Sequence, residues 1–304
     1  MVTGGAGFIG AHVTRDLLNL GWDVTVLDNL TTGSKDNLSI FSRDVELLEG
    51  DIRDTDLLGR VSKGVDSVFH LAGLASVKTS IADPVQSSEI TSRGTLNVLI
   101  AARNAGVRRL VFSSSASVYG NAETLPTVET QPLSPQSPYA ADKACGEFYC
   151  RLFHSLYQLE TVVLRYFNVF GPRQSLKSGY AAVVPKFVQA VVADESPVVY
   201  GDGLQTRDFV CVDNVATANV LAATTPGIAG ETFNIAGGVA ISLLDLLESL
   251  RTITGKPLEP VYCPGLVGEV RHSCADITHA SSRLDYYPSV SLEEGLRKTV
   301  EFAG

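Results

Sequence analysis

Three glycines at a spacing of three residues, Gly4, Gly7 and Gly10 in Val2-Thr3-Gly4-Gly5-Ala6-Gly7-Phe8-Ile9-Gly10, constrain this chain more than any other feature. They follow an apolar start and open a helical stretch, Gly7–Leu20. Glycines at that spacing let the backbone turn sharply and approach a pyrophosphate, whose charge then rests on the helix N-terminus. A second strand, Val24–Leu27, ends in Leu27-Asp28-Asn29, where a carboxylate is placed to accept hydrogen bonds from an adenosine ribose. The same charge repels a 2′-phosphate, so NAD is favoured over NADP. The plainer reading is an ordinary glycine-rich strand–helix turn. Only Met1 and Val2 precede Thr3-Gly4, so the expectation is an abbreviated first strand or a start lacking a few residues.

The rest of the first two-thirds alternates strands with helices, the pattern of an α/β fold in which helices cover a doubly wound parallel sheet of Rossmann type. Strands are expected at Val45–Glu49, Ser67–Leu71, Leu110–Ser113 and Val162–Tyr166, as unbroken apolar runs suited to burial on both faces. Helices are expected near Asp54–Val61, Thr91–Ala105 and Tyr139–Tyr157. After Asn168 the rhythm breaks at Gly171-Pro172-Arg173, and a Gly- and Ser-containing stretch runs to Tyr180. Shorter strands follow at Val198–Tyr200, Phe209–Val212 and Thr232–Ile235, with helices near Val183–Ala193, Asp213–Ala223 and Leu243–Thr254. The expected division is a nucleotide-binding part, 1–168 with 209–237, and a smaller interleaved part, 169–208 with 238–304.

Bulk properties narrow the function. The 304 residues are 45% apolar and 19% charged, a globular balance, and the net charge of -9 with no basic run argues against nucleic acid. A few local arginines still suffice for an anionic small molecule. The five cysteines are scattered without CxxC spacing, which points away from structural zinc or disulfides and towards a reducing cytoplasm. No metal site, membrane span or signal peptide is expected.

The chemistry concentrates in Tyr139-Ala140-Ala141-Asp142-Lys143, where a phenol and an ammonium four residues apart share one helix face. A phenol has a pKa near 10, so about one in a thousand is ionised at neutral pH. The ammonium and a positive nicotinamide ring both favour phenolate; lowering the pKa by about three units needs roughly 4 kcal/mol. Ser115, at the end of the strand beginning at Leu110, can hydrogen-bond a substrate hydroxyl undergoing proton transfer. Asp51-Ile52 and Leu71-Ala72-Gly73, at two further strand ends, can border the adenine and let the backbone approach the cofactor.

With these residues in view, the chain resembles the extended short-chain dehydrogenase/reductases, and within them the UDP-glucose 4-epimerase group. The resemblance is carried by Thr3–Gly10, Asp28-Asn29, His70–Gly73, Ser113–Gly120 (SSSASVYG), Ser137–Lys143 (SPYAADK), Arg165–Arg173 (RYFNVFGPR), Tyr200–Phe209 (YGDGLQTRDF) and Arg271–Asp276 (RHSCAD), in the family's order over nearly the whole length. It implies Tyr139 as catalytic base, Lys143 as its activator and nicotinamide-ribose ligand, and Ser115 as third member, with Ser117 a secondary substrate contact. Gly4, Gly7, Phe8, Ile9, Gly10, Asp28, Asn29, Asp51, Ile52, Leu71, Ala72, Gly73 and Phe167 are implied on the cofactor side. Asn168, Val184, Tyr200 and Arg207 are implied to grip a UDP-sugar, with Arg271 and Ser273 beside it. Arginine forks suit phosphate and an aromatic face suits a base. Plainer readings stand beside these: Asn168 capping a turn, Tyr200 in the core, and Arg207-Asp208 as a surface ion pair.

Within the family, dehydratases carry an Asp-Glu pair before Val-Tyr-Gly, and decarboxylases an acid at the position of Ser117. Here Ala116-Ser117 precede Val118-Tyr119-Gly120, which leaves elimination without a catalyst. The implied reaction is 4-epimerisation. Tyr139 phenolate takes the proton of the sugar 4-hydroxyl while C4 passes hydride to NAD, the 4-keto sugar turns about its diphosphate link, and hydride returns to the opposite face. A reductase of the same family, or a non-catalytic NAD-binding regulator, is the alternative. Departures from the family pattern are Leu266 in place of a diphosphate-binding arginine, Gly268-Glu269 in place of Gly-Asp, and Ala75 in place of a cofactor-side lysine, with Lys78 a partial substitute. Ser273 occupies a position whose size governs entry of an N-acetyl group, so a small residue implies room for UDP-N-acetylhexosamines. The apolar faces Leu96, Val98, Leu99 and Phe148, Leu152, Leu156 fit either a homodimer interface, as similar proteins have, or internal packing.

Overall fold

All the strands expected between Val24 and Tyr166 enter one parallel sheet. The structure, a computed structural model, describes residues 1–41, 45–175, 182–265 and 270–304. In chain order the first part comprises β1 (Val2–Thr3), α1 (Phe8–Asn19), β2 (Val24–Asp28), β3 (Val45–Glu49), α2 (Thr55–Val61), β4 (Ser67–His70), α3 (Val77–Ala82), α4 (Pro84–Ser88), α5 (Gly94–Ala105), β5 (Arg109–Ser115), α6 (Pro138–Tyr157) and β6 (Glu160–Tyr166). There follow β7 (Asn168–Phe170), α7 (Val183–Val192), β8 (Val198–Tyr200), β9 (Thr206–Cys211), α8 (Val212–Thr224), β10 (Thr232–Ile235), β11 (Ala240–Ser242), α9 (Leu243–Thr254), β12 (Val261–Cys263), α10 (Thr278–Leu284) and α11 (Leu292–Ala303).

The seven-stranded sheet has the order β10-β6-β5-β4-β1-β2-β3, so strand order reverses between β1 and β4, where a ligand crevice opens in doubly wound sheets. Its strands feed two apolar layers. Val111 of β5 joins Val26, Phe69 and Val162 on the side of α1 and α8, while Leu110 and Phe112 join Val68, Leu99 and Phe153 on the side of α5 and α6. Burial on both faces explains why these strands read as continuous apolar runs. The remaining strands make a three-stranded sheet, β11-β9-β7, and a pair, β12-β8. The first strand is described over two residues, Val2–Thr3, which pair with both β2 (Val2↔Val26) and β4 (Val2↔Phe69).

Local chemistry sets the element ends. Ser137 caps α6 by accepting from Ala140 N at 3.2 Å, Pro138 fits its first turn, and Gln158 ends it in a left-handed conformation. The helix expected from Thr91 begins instead at Gly94, after a wider π-type turn, Glu89–Arg93. Val98 and Leu99 of α5 are fully buried inside the chain, whereas Phe148, Leu152 and Leu156 of α6 are 51%, 48% and 65% exposed. The two faces that looked equivalent in sequence therefore differ: the first is internal packing, the second an open apolar stripe.

A hydrogen-bonded relay ties β1, β4 and α5 together at the crevice. Thr95 Oγ1 donates to Thr91 O at 2.6 Å, so it accepts from His70 Nε2 at 3.0 Å, and His70 Nδ1 accepts from Thr3 Oγ1 at 2.7 Å. That assignment makes His70 neutral, and burial, aided by the nearby Lys143 charge, lowers its pKa to about 3. An unfolded histidine binds a proton near pH 6.5, so the native state is favoured above that pH and loses this advantage as pH falls towards 3. We expect the stability of wild type to drop across this window more steeply than that of His70→Gln, by up to about 1.4 kcal/mol per pH unit. Parallel urea titrations at a series of pH values check it; equal slopes would contradict the relay.

Candidate active site

The turn between β1 and α1 is shaped for close approach by a ligand. Gly4 has φ +71°, and a Cβ there would lie 2.7 Å from Ala72 N; one on Gly10 would overlap the Gly4 carbonyl. Gly7 caps α1 without a side-chain hydrogen bond, which leaves first-turn N–H groups for an anion. The turn opens on a cleft of about 270 Å³ at the reversal of strand order. Gly4, Gly7, Phe8, Ile9 and Gly10 line it together with Asp28, Asn29, Asp51 and Ile52, with Leu71, Ala72 and Gly73, and with Tyr139 and Lys143. Ala75 also lines it; Lys78 and Phe167 do not. Phe167 is packed with Val118, Tyr119 and Ala144 in a separate apolar cluster.

Asp28 is 7% exposed and braces the turn, its two oxygens accepting from Ala6 N at 3.0 Å and Leu30 N at 2.8 Å. Each oxygen keeps a second lone pair for a ribose hydroxyl. Asn29 Nδ2 donates to Asp51 Oδ2 at 3.0 Å, and Arg53 clasps the same carboxylate through Nε and Nη2 at 2.9 and 2.8 Å. Those Arg53 bonds hold the Asp51 carboxyl well below the usual carboxylate range. A glycine cradle, an open helix N-terminus and a fixed acid at a strand end together fit a dinucleotide.

Helix α6 lies along the end of β5. Ser115 stands beside the Tyr139 phenol and favours its ionised form, and Lys143 Nζ donates to Ser113 O at 2.7 Å. The electrostatics differ from the sequence expectation. Burial pushes the phenol up, opposed only by Ser115, and Lys143, the expected activator, is directed to the Ser113 carbonyl. Burial also lowers Lys143 to about 8, with Glu147 and then Asp142 opposing that fall. The chain alone keeps Tyr139 protonated at neutral pH, because desolvation of a phenolate outweighs one hydroxyl donor. Ser117 Oγ is buried with no hydrogen-bond partner among the described residues, and Ser117 N donates to Ser115 Oγ at 3.2 Å.

A second cavity, also about 270 Å³, brings together Asn168, Val184 and Arg207 from β7, α7 and β9. Arg207 Nη1 donates to Thr206 O at 2.9 Å and Arg271 O at 3.3 Å, which fixes it beside the segment of Arg271 and Ser273. Arg271 pairs with Asp202 at 2.6 Å, and Ser273 N donates to Thr206 O at 3.1 Å. Two of the plainer readings fail. Tyr200 is 37% exposed rather than a core aromatic. Asp208 is fully buried, accepting from Gly237 N, Gly238 N and Ala275 N, rather than sitting in a surface ion pair. Leu266, Gly268 and Glu269, where the sequence departs from the family pattern, lie outside the described residues, as do 176–180 of the stretch after Arg173.

Sequence reasoning missed the buried set behind the serines. Ser114 Oγ donates to Glu147 Oε1, Arg165 binds Glu147 through Nε and Nη2, and Arg165 Nη1 donates to Tyr119 OH at 2.7 Å. The signal was present: Glu147 stands four residues after Lys143, on the face that carries Tyr139. Tyr166, whose hydroxyl shares hydrogen bonds with Ser113 and Asn219, also lines the cleft. Among the described residues no group of three or more His, Cys, Asp or Glu side chains could hold a metal ion.

Comparison with known proteins agrees with this geometry. Residues 1–236 match the NAD dependent epimerase/dehydratase family. A UDP-glucose 4-epimerase of Mycolicibacterium smegmatis is 41% identical over 306 residues, covering 99% of this chain and 97% of that protein. The chain is also similar to two solved structures, each at 40% identity and over 99% of its length. One is the UDP-N-acetylglucosamine 4-epimerase of Methanobrevibacter ruminantium in complex with UDP-N-acetylmuramic acid, matched over 96% at TM-score 0.95. The other is the UDP-glucose 4-epimerase of Thermotoga maritima with UDP-glucose, matched over 97% at TM-score 0.94. The chain belongs to the NAD dependent epimerase/dehydratase family.

Proposed function

We propose that this chain is an NAD-dependent UDP-sugar 4-epimerase acting on the UDP-glucose/UDP-galactose pair, with room for the N-acetylated pair. The observation that carries it is that Tyr139 and Lys143 line a dinucleotide cleft, with Ser115 beside the phenol and with Ala116-Ser117 and no acid at the neighbouring helical turn. Bound NAD supplies a hydride acceptor that is regenerated in the cycle and a positive ring that favours the phenolate. Tyr139 takes the proton of the sugar 4-hydroxyl, and Ser115 holds the same oxygen. Lys143, anchored by the Ser113 carbonyl, offers a donor for ribose hydroxyls. The second proton transfer returns through Tyr139 after the 4-keto sugar has turned over. A dehydratase would need a carboxylate to abstract the C5 proton, and this strand end offers serines.

The cavity of Asn168, Val184 and Arg207 suits the nucleotide and diphosphate, which must stay fixed while the sugar turns, and the part-exposed Tyr200 ring suits a stacked base. Ser117's unpartnered hydroxyl suits a substrate hydroxyl. Phe148, Leu152 and Leu156 form the apolar stripe through which two copies pair as a homodimer. Five unpaired cysteines suit the reducing cytoplasm as its location.

Purified protein, incubated without added cofactor with each UDP-hexose, should interconvert the C4 epimers with no net consumption of nicotinamide; stoichiometric oxidation or reduction would identify a reductase instead. Tyr139→Phe should lower kcat by about 10²–10⁴-fold, and an unchanged kcat would remove Tyr139 from the chemistry. Ser273→Tyr should suppress turnover of the UDP-N-acetylhexosamines selectively; equal loss on both pairs would count against the size argument. Phe148→Arg should shift the mass measured by light scattering from two chains to one, and a variant that stays dimeric places the interface elsewhere.

A further inference from the structure

We infer that Glu147, gripped by Arg165, is a positioning residue of the proton-transfer set: it fixes where α6 stands along β5, and with it the Tyr139 hydroxyl and the Lys143 ammonium. The inference rests on the reading of Tyr139 and Lys143 as catalytic residues.

Tyr139, Lys143 and Glu147 recur every four residues, so they share one face of α6. Each meets a different serine of β5. Tyr139 stands beside Ser115, Lys143 donates to the Ser113 carbonyl, and Glu147 accepts from the Ser114 hydroxyl. Between the last two, Gly146 packs on the Phe112 ring so closely that a Cβ would collide with it, which sets the gap between helix and strand. The glycine fixes separation and the glutamate fixes sliding. Glu147 cannot shift alone, because Arg165 Nε and Nη2 bind its two oxygens at 2.9 and 2.6 Å. Arg165 is in turn held by the Tyr119 hydroxyl at 2.7 Å and the Glu129 carbonyl at 3.0 Å, and Tyr119 donates to Asn234 Oδ1 at 2.7 Å. The side chains of Glu147 and Arg165 are 2% and 3% exposed.

Such a pair is not needed for folding as such, since apolar residues of similar volume commonly replace buried ion pairs without loss of stability. What apolar residues cannot do is place a carboxylate one turn from Lys143. The groups around that ammonium are few. Among the described residues they are Asp142, Glu147 and Cys150 on α6, neutral His70 on β4, and the Phe112 ring at 5.2 Å and the Ser113 carbonyl on β5. Of these, Glu147 does most to keep Lys143 charged against burial.

The test uses the intact protein with NAD, and reads both epimerase kinetics and the alkaline pH at which NAD affinity falls. Glu147→Gln should lower kcat by about 10–100-fold with KM within about threefold, the size of effect expected from a small misplacement. It should also move the alkaline fall of NAD affinity down by about half a pH unit or more, because a charge near Lys143 is gone. Glu147→Asp, which keeps the charge on a shorter stem, should restore the pH midpoint but not kcat. Should Glu147→Gln unfold, Glu147→Met/Arg165→Met keeps the volume and is expected to fold while showing the same two losses. Wild-type kcat and midpoint in a folded charge-free variant overturn the inference. Wild-type protein that binds NAD but epimerises no UDP-hexose would instead refute the reading of Tyr139 on which it stands.

Discussion

The contact between one face of α6 and the end of β5 is the constraint on which the rest of the site depends. Along it Lys143 donates to the Ser113 carbonyl, Glu147 accepts from the Ser114 hydroxyl and Tyr139 stands beside Ser115; Ser113, Ser114, Lys143 and Glu147 are buried. In such surroundings an unpaired charge is costly, so each ionisable group must be neutral or matched. His70 is neutral, Glu147 is matched by Arg165, and Lys143 rests on a carbonyl with two carboxylates nearby. The sheet brings the glycine turn to the same edge because β1 lies beside β4 at the reversal of strand order. Cofactor cradle and proton-transfer residues are thus two consequences of one topology.

That setting changes how a Tyr–Lys pair works. Proximity of the two residues in sequence suggests an ammonium that acidifies the phenol directly. In the fold the ammonium is engaged elsewhere and burial favours the protonated phenol. Burial thus leaves the phenol protonated in the chain alone, and on the proposed mechanism a bound, positive nicotinamide ring would favour the phenolate.

The parts legible in sequence were those fixed by local rules. Glycine spacing revealed the turn at Gly4–Gly10, apolar runs revealed β2 to β6, and helical spacing placed Tyr139 and Lys143 on one face. Short strands such as β7, β11 and β12, three residues each, carry too little pattern to be read before their partners are known. Glu147 was missed because an acid four residues from a lysine on a helix reads as a solvated pair; only the fold brings Arg165, distant in sequence, to its other side. The sign of the Tyr139 shift was beyond reach for the same reason, since it is set by burial and by where Lys143 points. Val98 and Leu99 could not be told from Phe148 and Leu152 until the sheet chose which face to cover.

The most direct measurement of this account is the ionisation of Tyr139 itself, followed as tyrosinate absorbance against pH in wild type minus Tyr139→Phe, with oxidised and with reduced cofactor bound. The account predicts that the phenol loses its proton at lower pH beside NAD than beside NADH or in the protein alone. A midpoint independent of the cofactor's charge, or a phenolate already present at neutral pH without cofactor, would contradict it.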